Sequence, residues 1–398
     1  MFNIILLGIT SLLTDISSEM VYPILPIYLV NQLGVGPAIL GLIEGIAESL
    51  ASLLKLFSGY FSDKIKKRLP FTIFGYASSG LGKLLLYIST SWLYVLAGRI
   101  IDRFGKGIRT APRDALIADS AKEDKKGAAF GLHRAMDTLG ASIGVLLAYF
   151  LITRYKGDLK NIFLFSLIPA FLGVLFLFLV KEKRFPPKDS SKEVVQLSRS
   201  VSKLNAGSPA VGGGKWQTLD IRLKFFLIFT FIFTLGNSSN QFLLLRAKYL
   251  GSPIYQVILF YLVYNIVYGL ASYPASRLSD RIGRKKLLVL GYLLYGLVYL
   301  GFAITRSMAM LWLLFGIYGL YMGLTDGVEK ALVADIAPKP LRATVMGLHA
   351  TLVGIGLLPA SLLAGMLWKG LGSSAPFYFG GFMGMVASVG LWFILKGI

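Results

Sequence analysis

The chain has 398 residues, 55% of them hydrophobic and only 15% charged, with a formal net charge of +21. Apolar stretches of about 20–28 residues recur almost end to end, the length that crosses a bilayer core of about 30 Å, and this excludes an ordinary soluble domain. The absence of cysteine excludes disulfides, thiolate metal sites and cysteine nucleophiles. In a membrane chain the positive balance is first a matter of topology, so it does not point to nucleic acid.

In chain order the predicted spans are 3–30, 38–62, 70–90, 92–118, 128–152, 161–180, 222–247, 253–279, 287–305, 308–336, 343–368 and 375–396. Twelve helices place both termini on one side. The first carries Asp15 and Glu19 and lacks a basic start and a small-residue cleavage pattern, so it reads as a span and not as a secretory signal. "DKIKKR" (63–68), "KEDKK" (122–126), "DRIGRKK" (280–286) and "KPLR" (339–342) fall in loops on the side of the termini. This excess of Lys and Arg predicts cytoplasmic termini and a multi-pass protein of the cytoplasmic (inner) membrane. Residues 181–220 are rich in Ser, Gly, Pro and Lys and lack a sustained apolar face. They read as a cytoplasmic linker with a short surface helix around 192–204, between a bundle at 1–180 and another at 221–398.

The two bundles repeat. "GYFSDKIKKR" (59–68) matches "SRLSDRIGRK" (276–285) at an offset of 217, and "DALIADSAKEDKKGAAFGLH" (114–133) matches "KALVADIAPKPLRATVMGLH" (330–349) at an offset of 216. Parallel six-helix repeats related by an axis along the membrane normal are a recurring transporter plan, with the substrate site near mid-membrane between the halves.

With twelve spans and a central linker, these blocks resemble the major facilitator superfamily over nearly the whole chain. Its motif between the second and third helices reads Gly-x-x-x-Asp-Arg/Lys-x-Gly-Arg/Lys-Arg/Lys. Gly59, Asp63, Lys64, Lys67 and Arg68 match it, with Lys66 where the second glycine is usual. The second copy keeps Asp280, Arg281, Gly283, Arg284 and Lys285, with Ser276 at the leading position. The resemblance implies an all-α membrane protein of two pseudo-symmetric six-helix bundles. It also implies a cytoplasmic gate at Gly59, Asp63, Lys64, Arg68, Asp280, Arg281 and Arg284. There Asp63 would sit near the positive end of the eleventh helix, and Asp119 and Asp335 would pair with the basic residues.

The fourth span, "RIIDRFGKGIRTAPR" at 99–113, breaks the apolar pattern. Arg99, Asp102, Arg103, Lys106, Arg109 and Arg113 recur at spacings of 3 and 4 and share a sector about 120° wide. Insertion costs of about 3 kcal/mol per cation put five lipid-facing cations at about 15 kcal/mol, so the stripe must face water, acids or a negative ligand. Acids stand at matching depth: Asp15 and Glu19 in the first span, Glu44 and Glu48 in the second, and Asp137 beside Arg134 in the fifth. Lys83 in the third span has no partner visible in the pattern.

Three readings of these charges stay open: a structural network of ion pairs, proton coupling, and direct binding of an anionic substrate. Moving an arginine toward or away from a carboxylate in a low-dielectric chamber changes its proton affinity, which makes Asp15, Glu19, Glu48 and Asp137 the candidate proton carriers. Arg99, Asp102, Arg103, Lys106, Arg109 and Arg134 are the candidate substrate contacts of the first half. In the second half, "GNSSNQ" (236–241) is a polar break at mid-depth. Asn237, Asn240 and Gln241, with Tyr264, Tyr268, Tyr321 and Asp326, suit an organic molecule with a flat or apolar part. His133 and His349 are repeat-equivalent and read as latch or packing residues, without the carboxylate spacing of a metal site.

An acid in the first helix with an arginine in the fourth is similar to proton-linked exporters of the superfamily. Arg103 with Gly107 fits their pattern, whereas Arg99, Lys106 and Arg109 are extra and favour a polar or anionic cargo. The expected function is therefore secondary transport by alternating access, with proton-coupled export (antiport) first and uptake or exchange of an organic anion as the alternative. A non-transporting sensor or channel is the alternative of another class. A membrane enzyme is not expected, because the charges run through mid-membrane and do not gather at one interface. The expected partners are a small molecule, protons and the bilayer. Neither a cofactor nor a metal is expected, no nucleic acid is, and the chain reads as a monomer without a nucleotide-binding loop.

Overall fold

The computed structural model describes residues 2–65, 67–121, 126–155, 158–182, 221–337 and 342–394. The first half holds α1 (Phe2–Val21), α2 (Pro37–Ile65), α3 (Leu69–Tyr87), α4 (Trp92–Ser120), α5 (Lys126–Arg154) and α6 (Leu159–Leu177). The second holds α7 (Ile221–Gly236), α8 (Ile254–Ile282), α9 (Arg284–Ile304), α10 (Met308–Ile336), α11 (Arg342–Leu371) and α12 (Ala375–Ile394). Ten of the twelve spans are long and apolar enough to cross a membrane; α3 and α4 fall short, and in α4 the stripe of charges is the reason.

Two spans are broken. After a short turn α1 runs on as Leu25–Ile27 and then widens, with the Leu33 N–H bonding five residues back to the Tyr28 carbonyl at 3.1 Å. After Asn237–Asn240, α7 resumes as a helix over Gln241–Tyr249, the polar break that "GNSSNQ" foretold. The ends follow local chemistry. Asp158 caps α6 by accepting the Lys160 N–H at 3.1 Å. Gly283 closes α8 at φ 95°, a backbone angle that side-chain-bearing residues rarely adopt, and it is the motif's second glycine. The equivalent Lys66 and the 192–204 surface helix lie outside the described residues.

The packing repeats as the sequence does. In the first half α1 packs on α5 and α6, α4 on α2 and α3, and α3 on α6. In the second half α7 packs on α11 and α12, α10 on α8 and α9, and α9 on α12. The halves meet along α2–α11 and α5–α8, two seams that the same pseudo-twofold exchanges.

Glycine sets how closely the charged helix approaches its neighbour. A Cβ on Gly75 would lie 2.6 Å from the Gly105 carbonyl oxygen, and one on Gly105 would lie 2.3 Å from that of Gly75. Gly82 and Gly98 repeat the arrangement at 2.6 and 2.8 Å. The α3–α4 crossing thus rests on two reciprocal glycine pairs, two helical turns apart on each helix, with backbone against backbone.

Candidate functional site

A cavity of about 410 Å³ lies between the halves. Asp15, Glu19 and Tyr22 line it from the first span and its turn, Glu48 from α2, Lys83 from α3, and Arg99, Asp102, Arg103, Lys106 and Arg109 from α4. The far wall is Asn237, Ser238, Ser239, Asn240, Tyr261, Tyr318, Met322 and Leu357. The α4 stripe is turned inward: Arg99, Asp102, Arg103 and Arg109 are only 4–7% exposed, and Lys106 is the exposed member. Nearly all the charge predicted at mid-depth therefore faces protein and cavity rather than lipid.

Most of it is neutralised locally. Arg99 grips Glu44 with two bonds of 2.8 Å, from Nε to Oε1 and from Nη2 to Oε2, and the Glu44 side chain is fully buried. Such planar bidentate pairing is the strong form of a charge-assisted hydrogen bond. Ser239 of the second half also donates to Glu44 Oε2, at 3.4 Å. Arg103 pairs with Glu48 at 2.9 Å. Asp102 sits between Lys83 at 3.4 Å and Arg99 at 3.7 Å. Glycine-mediated contact between α3 and α4 is what brings Lys83 to Asp102.

The remaining four charges have no ion-pair partner among the described residues. Arg109 lies over the Tyr76 ring, 4.3 Å from its centroid, and bonds the Ser79 hydroxyl. Lys106 makes no carboxylate pair, and neither Asp15 nor Glu19 meets a cation within ion-pair distance. Glu19 instead accepts a hydrogen bond from Tyr261 of α8 at 2.8 Å, across the two halves, and Tyr22 stacks on the same ring at 5.4 Å. With Glu44 included, five cations and five carboxylates surround the chamber, so the fully ionised set is neutral.

A second cavity of about 580 Å³ shares Asn237, Met322 and Leu357 with the first. It leads past Tyr321, Asp326, Glu329, Lys330, His349 and Lys55, toward the face carrying the basic α2–α3 and α8–α9 connections. On the opposite face the Leu25–Ile27 turn packs on Gln241–Tyr249, and Ile24, Leu25, Ile27 and Phe242 are fully buried. The chamber is closed on that face and approached from the basic one.

Several sequence candidates lie off the central wall. Asp137 is held by His133, one turn away, at 3.4 Å. Arg134 crosses the α5–α8 seam to the Tyr268 hydroxyl at 2.7 Å and lies 3.7 Å from Asp326, which also accepts from Tyr268 at 2.8 Å and Lys330 at 2.7 Å. Tyr264 stands behind the wall and receives the Asn240 amide at 3.3 Å. Tyr321 is 3.5 Å from the Asn237 amide. Gln241 is fully buried, and its side-chain amide makes no hydrogen bond among the described residues. These placements follow from helix rotations set by packing within and between the halves, which residue spacing within one helix does not encode.

At the basic face Arg68 binds Asp119, and Arg284 binds Asp335 and Asp280. The Arg68–Asp119 and Arg284–Asp335 pairs span 51 residues each and are repeat counterparts within one residue. Each lies within its own half. Arg281 is exposed; the side chains of Asp63 and Lys64, and the surroundings of Gly59, lie outside the described residues.

Sequence reasoning missed two clusters. Buried Arg246 meets no carboxylate among the described residues. It donates to the Phe302, Ala303 and Thr305 carbonyls at 3.1–3.4 Å and to Ser373 at 2.5 Å, satisfying the unpaired carbonyls at the end of α9. His349 lies 2.7 Å from Glu329, whose other oxygen accepts from Tyr292 at 3.0 Å. Its repeat equivalence to His133 was the only signal. Among the described residues no group of three His, Asp or Glu is placed to hold a metal ion.

Two related six-helix halves closing a ligand-sized, charged chamber at mid-depth define a multi-pass membrane transporter. The chain belongs to the major facilitator superfamily, whose family model matches residues 7–245 and 225–397. An uncharacterized MFS-type transporter of Methanocaldococcus jannaschii is 39% identical, over 98% of this chain and 94% of that one. The multidrug resistance protein MdtH of Baumannia cicadellinicola is 23% identical, over 85% of this chain and 77% of its own length. Among solved structures, the nucleoside transporter NupG superposes with a TM-score of 0.77 over the whole of both chains at 14% identity. The D-xylose–proton symporter superposes with a TM-score of 0.73, over 98% of this chain and 97% of its own, at 17% identity. At such identities the structural likeness is one of fold.

Proposed function

We propose that this transporter moves a small polar or anionic organic molecule across the cytoplasmic membrane by alternating access, coupled to protons. Units 1–180 and 221–398 rock about the central cavity, 181–220 links them, and the termini face the cytoplasm. One observation carries this reading: among the described residues, the cavity holds Lys106 and Arg109 without a carboxylate partner, and Asp15 and Glu19 without a cation. Glu44, Glu48 and Asp102 neutralise Arg99, Arg103 and Lys83, so the unmatched groups are the ones free to take cargo and protons.

Asp15 and Glu19 are the proton carriers in this account, with Glu48 at the cavity edge. Arg134 acts at the α5–α8 seam, and Asp137, held by His133 beside α1, supports the proton pathway from within the first half. The Arg68–Asp119 and Arg284–Asp335 pairs belong to the cytoplasmic gate.

Export by antiport is supported by the α1 acids sharing the cavity with Arg103 and by the multidrug-resistance name of a relative. A specific observation favours uptake as the second reading. Because the ionised lining is neutral, protonating Asp15 and Glu19 leaves excess positive charge beside Lys106, so proton and anion favour each other's binding. Proteoliposomes with pH gradients imposed in both senses decide between them. Antiport drives an organic anion against the proton flow and symport drives it along; flux indifferent to the gradient removes the coupling.

A further inference from the structure

The two walls of the central cavity differ in kind. Every ionised side chain on it comes from the first half, whereas the second half contributes amides, hydroxyls, a methionine and a leucine. The uncharged wall is held in place before any ligand arrives. Tyr318 donates to Asn240 Oδ1 at 2.7 Å, and the Asn240 amide donates to Tyr264 at 3.3 Å. Tyr295 donates to the Gly236 carbonyl at 2.8 Å, and the Ser239 N–H reaches the Ser361 hydroxyl at 3.3 Å. The break between α7 and the next helix is thus fixed from four sides. Asn240 keeps a spare amide proton, and the tyrosine oxygens keep lone pairs.

Lys106 is the cation this wall confronts. Arg109 is occupied by Ser79 and the Tyr76 face, whereas Lys106 is exposed and without a carboxylate pair among the described residues. A small inorganic anion would satisfy Lys106 but leave the opposite wall, and most of about 410 Å³, unused. With Asp15 and Glu19 protonated, as the transport reading has it, a lipophilic cation would meet an uncompensated ammonium. A neutral sugar would leave that ammonium unpaired.

We propose that the cargo is a hydroxylated organic acid of sugar-acid size, its acidic group against Lys106 and its hydroxyl-bearing body against Asn237, Asn240 and Tyr318. This rests on the transport reading above and deepens it. Sites built to hydrogen-bond substrate hydroxyls reject analogues that lack them, because the site's own polar groups are then left unpaired.

The test is equilibrium binding to the full chain in detergent at constant ionic strength and pH, with glucuronate, glucose and hexanoate as probes. Glucuronate is expected to bind at least about tenfold more tightly than either of the others. Lys106→Gln should lower glucuronate to the level of glucose. Tyr318→Phe and Asn237→Ala should each weaken glucuronate by about tenfold while leaving hexanoate unchanged. The unliganded melting temperature of each variant identifies any that fails to fold, and the three substitutions stand independently. Equal binding of hexanoate and glucuronate, equal binding of glucose, or binding of none of the three overturns the proposal. No pH gradient is present, so a failure of proton coupling in vesicles would leave this result standing, and a failure here would leave coupling intact.

Discussion

Replacing Glu44 by glutamine probes the ionic core where it is most deeply buried. The Glu44 side chain is fully buried and that of Arg99 is 5% exposed, with two 2.8 Å bonds between them. In Glu44→Gln one of those bonds becomes an N–H facing an N–H, and a buried guanidinium loses its charge partner. Breaking a buried pair from one side costs about 3–5 kcal/mol. Asp102 at 3.7 Å and Glu48 at 3.9 Å give Arg99 partial compensation, which places the expected loss near the lower end, about 3 kcal/mol. The double variant Glu44→Gln, Arg99→Met removes the stranded charge and should recover at least half of that loss. Reversible unfolding in mixed micelles reads both together with Arg99→Met alone, and the resulting cycle isolates the pair. A single-variant loss below about 1 kcal/mol, or a double variant as unstable as the single, would refute the assignment of this pair as a structural ion pair.

Gly105→Val should destabilise by about 3 kcal/mol or more, because its Cβ would meet the Gly75 carbonyl at 2.3 Å and backbone cannot yield as a side chain can; thermal unfolding checks it. Arg246→Leu should lose about 1–3 kcal/mol through the α9 carbonyls it leaves unsatisfied, without changing the pH dependence of flux. Tyr261→Phe removes the Glu19 hydrogen bond across the halves and should shift the pH profile of transport while the fold melts normally; an unchanged profile would separate Glu19 from coupling. Single cysteines at residues 3 and 182 of this cysteine-free chain should react with impermeant reagents only from the cytoplasmic side, and labelling from outside would reverse the topology.

Much of the fold could be read from the sequence because lipid imposes one simple requirement, a stretch of apolar residues per crossing, and because the repeat fixes which helices correspond. The α4 stripe was legible for the same reason: spacings of 3 and 4 put Arg99, Asp102, Arg103, Lys106 and Arg109 on one face wherever that helix packs. What each charge meets was not legible. Lys83 finds Asp102 only because two glycine pairs let α3 and α4 touch. Glu44 and Glu48 look alike on one helix face, yet one is sealed against Arg99 and Ser239 while the other edges the cavity. Arg134 and Asp137 sit among cavity candidates in the sequence, but the rotation of α5 turns Arg134 to the α8 seam and leaves Asp137 with His133 on the α1 side. The His349–Glu329 contact joins two helices whose relative register no local pattern records.

Transport as proposed requires that the α4 stripe border a water-filled chamber open from one side at a time. Lys106→Cys in the otherwise cysteine-free chain tests it most directly, with an impermeant thiol reagent applied to inside-out and right-side-out vesicles. The account predicts rapid labelling from the cytoplasmic side in the state described here and little from the other. A cysteine that reacts from neither side, like one facing lipid, would contradict it.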